Sequence, residues 1–115
     1  MNTITQLQTW LDSRKADCQA AEQALAADAR EDEAVFAKIQ GNVFDIFSTV
    51  LQVAGRTQGN EAAALQFFRK KLEEIPANWR TALERAEANN DPERAHTERL
   101  KLEAVSRIRA AMEED

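Results

Sequence analysis

Ten valines, isoleucines, leucines and phenylalanines crowd into the stretch from Val35 to Val53. Phe36, Ile39, Val43, Ile46, Val50 and Val53 alternate spacings of three and four, the seam of a helix packed against other helices. Phe44, Phe47 and Leu51 widen the seam to half the circumference, at about 100° per residue. Lys38, Asn42, Asp45, Ser48, Thr49 and Gln52 hold the polar half. So wide an apolar arc must be covered by other helices, and it carries no reactive group.

The remaining composition supports the same class. Twenty-one alanines, three glycines and no tyrosine favour helices and starve a sheet. The expectation is an all-α fold: an antiparallel helical bundle of four to five helices with a long N-terminal helical hairpin, in one domain over residues 1–115. A chain of this length buries enough surface to fold without a disulfide or metal.

The elements can be placed from their ends. A first helix is expected from Ile4 to Ala27, opened by a capping box of Thr3 and Gln6. Its buried stripe is Ile4, Leu7, Leu11, Cys18 and Leu25, with Arg14 inside it. Asp28 to Glu33 reads as the turn, with Asp28 or Asp32 as the next cap. The second helix runs to Ala54, with Gly41 on its polar face, where a bend or a close neighbouring backbone fits. Gly55 to Gly59 reads as a loop and Asn60 as the third cap. Leu65, Phe68, Leu72 and Ile75 form the inner face of the third helix, with Phe67 well off it. Pro76 breaks that helix, since it lacks an amide proton and restricts Ile75 before it. Trp79, Ala82, Leu83 and Ala86 mark a short fourth helix. Asp91 caps the fifth, with Pro92 at its first position and Leu100, Ala104, Val105, Ile108 and Met112 inside. The short first turn makes the first two helices antiparallel, and helices three and five should cover the second.

Charge and cysteine content narrow the function. Net charge is −5, and no segment is strongly basic, so the footprint of a nucleic-acid binder is missing. The Arg69-Lys70-Lys71 patch is balanced at once by Glu73 and Glu74. A single cysteine, Cys18, suits a reducing, cytoplasmic setting and excludes an internal disulfide. No stretch is apolar enough to span a membrane, and no leader is visible at Met1 to Leu11.

Catalytic groups are scarce. Glu93-x-x-His96 has the spacing that holds metal in carboxylate bundles, but there is one histidine in the chain, so only a dimer could complete such a site. No cofactor is expected. Gly55 to Asn60 lacks the lysine of a phosphate loop. Two function classes follow. The first is a non-catalytic structural or protein-interaction module acting as a homodimer. The second is a dimeric metal- or small-molecule-binding bundle with Glu93 and His96 as its ligands. The first is favoured, with Trp10 and Phe67, at the margin of or outside the main stripes of their helices, as candidate interface anchors.

Overall fold

The computed structural model describes residues 3–113, and among them there are five helices and no strand. They are α1 (Ile4–Ala27), α2 (Glu31–Thr57), α3 (Glu61–Glu74), α4 (Ala77–Ala88) and α5 (Pro92–Glu113). α1 and α2 form the long antiparallel hairpin. α3 and α5 both pack on α2, and α4 packs on α5. The bundle is all-α, as the sequence pattern requires.

The core collects around the centre of α2. Phe44, Phe47 and Leu51 are fully buried with Leu7 and Leu11 of α1, Phe68 and Leu72 of α3, and Ala104, Val105 and Ile108 of α5. Phe47 meets Phe68 edge-on, with ring centroids 6.0 Å apart. Two polar tethers reinforce the packing on α5. Gln40 Nε2 donates to the Leu100 carbonyl at 3.2 Å, and an Arg109 guanidinium N–H donates to the Leu72 carbonyl at 3.3 Å.

The buried arc of α2 is not the seam that the spacing suggests. Its buried residues are Ala34, Gly41, Val43, Phe44, Phe47, Ser48, Leu51 and Ala54. That arc lies roughly a third of a turn from the one through Phe36, Ile39, Ile46 and Val53, at about 100° per residue. The cause is α1, which approaches over small side chains. A Cβ added to Gly41 would lie 3.0 Å from Cys18 Cβ, so glycine permits this spacing. Gly41 is therefore a buried close-approach residue rather than a member of the polar face. Ser48, also assigned to the polar half, is buried. Its hydroxyl donates to Asp12 Oδ1 and accepts from Gln8 Nε2, each at 2.7 Å.

Helix ends follow local chemistry with two corrections, both at α2. Thr3 accepts from the Gln6 amide, Asn60 from the Ala63 amide and Asp91 from the Arg94 amide, as expected. α2 has no side-chain cap: Arg30 holds the N-cap position, and Glu31, Asp32 and Glu33 face the helix dipole instead. α2 also runs on through Gly55 and Arg56 to Thr57, three residues past the expected end. A helical glycine costs only about 1 kcal/mol, which the rest of the helix absorbs. Ile75 keeps helical angles (φ −62°, ψ −46°) before Pro76. The break between α3 and α4 comes from the amide that Pro76 lacks, and the chain turns within two residues.

α1 and α4 both end in a left-handed residue. Arg30 N–H donates to the Leu25 carbonyl and Ala29 N–H to that of Ala26, with Ala29 at φ 59°. Asp91 N–H donates to the Ala86 carbonyl and Asn90 N–H to that of Glu87, with Asn90 at φ 53°. Both are Schellman closures, which satisfy the last free carbonyls of a helix.

Candidate interaction surface

The face of α2 turned away from α1 is the outstanding surface feature. Val35 is 52% exposed and Ile46 39% exposed, and both lie on it. Ile39 and Val53 are half-buried on the same face, and Asn42 and Thr49 are exposed. Ile39, Ile46 and Val53 are seven residues apart, and Val35, Asn42 and Thr49 interleave with them at the same interval. This is the two-position repeat of a coiled-coil strand. The core packing rotates α2 so that this second stripe, centred on the far side from Phe44 and Leu51, faces outward. Asp32 and Glu31 stand at its N-terminal end and Arg56 at its C-terminal end.

One flank of the stripe is a cavity of about 620 Å³, where α5 begins beside α2. Asp32, Val35, Phe36 and Ile39 form one wall, and Asp91, Pro92, Glu93, Arg94, His96 and Thr97 the other. The structure thus brings Glu93 and His96 together on an open wall. His96 is exposed and packs edge-on against Phe36, with ring centroids 4.6 Å apart. Among the described residues no group of three His, Cys, Asp or Glu side chains is placed to hold a metal ion.

The two aromatics singled out in the sequence are partly occupied within the chain. Trp10 is half-buried and meets Phe44 edge-on at 5.8 Å, with the Arg14 guanidinium 5.7 Å from its ring centroid. Arg14 also pairs with Asp17 at 2.9 Å, while its Nε is buried without a hydrogen-bond partner. Phe67 is half-buried, with the Lys71 ammonium 5.5 Å from its ring. Neither is among the exposed large apolar residues, which among the described residues are Val35 and Ile46.

Other polar groups are structural in their surroundings. Cys18 is half-buried against α2, and burial pushes its thiol pKa up, partly offset by Arg107. That is the reverse of an activated nucleophile. Lys15 pairs with Asp45 at 2.8 Å across the hairpin, and the hydrogen bond raises the lysine's pKa. Lys70 and Lys71 both face Glu74, so part of the charge of the short basic patch is offset along its own helix. Glu61 of α3 accepts from the Ile4 amide at 2.7 Å, tying the starts of α1 and α3.

Glu98 of α5 is 1% exposed, which sequence reading missed. Its Oε1 accepts from Arg94 Nε and Lys101 Nζ, each at 3.2 Å, while Oε2 is buried without a partner. The Lys101 ammonium also sits 5.6 Å from the Trp79 ring centroid on α4. The flanking cations at i−4 and i+3 were the available signal, since they can neutralise a carboxylate that packing removes from water.

No known protein family, curated protein or solved structure significantly matches the chain. No helix among the described residues is long and apolar enough to cross a membrane.

Proposed function

We propose that this protein is a non-catalytic interaction module that works as a homodimer. The observation that carries the reading is the outward apolar stripe of α2: Val35, Ile39, Ile46 and Val53 at coiled-coil spacing on a helix whose opposite face already fills the core. Valine and isoleucine exposed singly need no explanation. A regular row of them along one helix is a packing surface without its partner. The acidic charge balance gives no support to nucleic-acid binding. The cavity beside Glu93 and His96 shares Asp32, Val35 and Ile39 with the stripe, so it belongs to the same surface.

Light scattering behind a sizing column tests this. The expected mass at tens of micromolar is twice the chain mass of 12.9 kDa. A mass near 12.9 kDa overturns the proposal. Ile46→Asp should give a helical monomer. Trp10 and Phe67 are secondary anchors, and Phe67→Asp measures their share. If Phe67→Asp dissociates the dimer and Ile46→Asp does not, association runs through α3 rather than α2.

A further inference from the structure

We infer that the second copy docks antiparallel along the outer face of α2, so that Asp32 of each copy faces the partner subunit's Arg56. This rests on the proposed self-association and adds its orientation and register.

The argument starts from charge. The N-terminal end of the stripe carries Glu31 and Asp32, and its C-terminal end carries Arg56. A parallel pair would set Glu31 and Asp32 of one copy beside those of the other, a repulsion at close range. An antiparallel pair sets each acidic end beside an arginine. Glu33 is paired with Arg30 within the chain, but neither Asp32 nor Arg56 has an ion-pair partner among the described residues.

Register follows from the repeat. One seam position holds Asp32, Ile39, Ile46 and Val53, and the other holds Val35, Asn42, Thr49 and Arg56. An antiparallel pair centred at Phe44 stacks Asp32 on Arg56, Val35 on Val53, Ile39 on Thr49 and Asn42 on Ile46. The twofold axis then repeats these layers in reverse. Shifting the register by one heptad either way sets Ile39 against Arg56, or moves Val53 opposite Asp28 in the turn before α2. Only the centred register pairs both valines with each other and both charges with their opposites. From Asp32 to Arg56 the seam is about 36 Å long at 1.5 Å per residue.

Cysteine pairing reads the orientation directly. Val35→Cys and Val53→Cys are made separately in a Cys18→Ala background, and each is oxidised with oxidised glutathione, alone and mixed. The mixture should give covalent dimers containing one chain of each kind, and neither variant alone should cross-link. Self-cross-linking of Val35→Cys alone would mean a parallel pair and overturn the inference. If the wild type sizes as a dimer yet the mixture does not cross-link, this seam is wrong while self-association stands. A monomeric wild type overturns both. Charge reversal supplies a second readout. Arg56→Glu should weaken the dimer about tenfold, because two exposed ion pairs become repulsive. Mixing it with Asp32→Lys should restore wild-type affinity in the mixed dimer. Failure of the mixture to recover overturns the Asp32–Arg56 layer.

Discussion

Phe47 has no exposed surface and lies against Phe68, at the junction of α2 and α3. Phe47→Ala removes a ring that neighbouring helices cannot collapse to replace, and should cost about 3–5 kcal/mol in denaturant titration. Ala29 shows the opposite case, a residue that resists its own backbone. At φ 59° its Cβ crowds the chain, while the Schellman hydrogen bonds hold it there. Ala29→Gly should raise stability by about 1 kcal/mol, seen as a higher denaturant midpoint. A fall in the midpoint would show that the left-handed conformation is not what limits the turn. Residue-scale legibility was uneven in the same way. The caps at Thr3, Asn60 and Asp91 could be read because each bonds within its own first turn. The burial of Glu98 had only an indirect sign, its flanking cations Arg94 and Lys101, because burial itself depends on packing that the spacing of α5 does not encode.

At the scale of elements, α2 carries two glycines that the same substitution should separate. Gly55 is helical and open, with nothing within 4 Å of an added Cβ. Gly55→Ala should therefore stabilise by about 0.5–1 kcal/mol through helix propensity alone. Gly41 would set its Cβ 3.0 Å from the Cβ of Cys18, an atom that no side-chain rotation can move. Gly41→Ala should destabilise by about 1 kcal/mol or more, since α1 must shift outward and break the Ser48–Asp12 contact. Thermal melts of the two variants, moving in opposite directions, check both. Equal upward shifts would mean that the hairpin is looser than its close approach implies. The second apolar stripe of α2 belongs to this scale as well. Its residues were visible as part of one broad arc, but dividing that arc into a core face and an outward face needed the position of α1.

For the whole molecule, the covering of α2 is incomplete. α1, α3 and α5 take one side of it, α4 packs on α5, and on the remaining row Val35 and Ile46 are exposed while Ile39 and Val53 are half-buried. A dimer formed along that row links folding to association, so the melting temperature should rise with protein concentration. It should not respond to reductant, because the lone thiol has no intrachain partner. A melting temperature constant over a hundredfold range of concentration would place the folded unit in the single chain.

From the sequence alone came the class of fold, the five helices and the pairing of the first two. These depend on helical periodicity, on alanine content and on turns whose residues act within a few positions of themselves. The tertiary structure alone decided which side of α2 is core. Phe44, Phe47 and Leu51 lie within the same apolar arc as Ile39 and Ile46, and spacing treats them as equals. Contact between α1 and α2 separates them, because Ala34, Gly41 and Ser48 let a helix come close where the valines and isoleucines would hold it off. Trp10 and Phe67 stand at the margin of or outside their stripes, yet each finds cover beside a neighbouring cation and, for Trp10, a second ring. Exposure depends on where the other helices pass, and no local spacing within one helix contains that information.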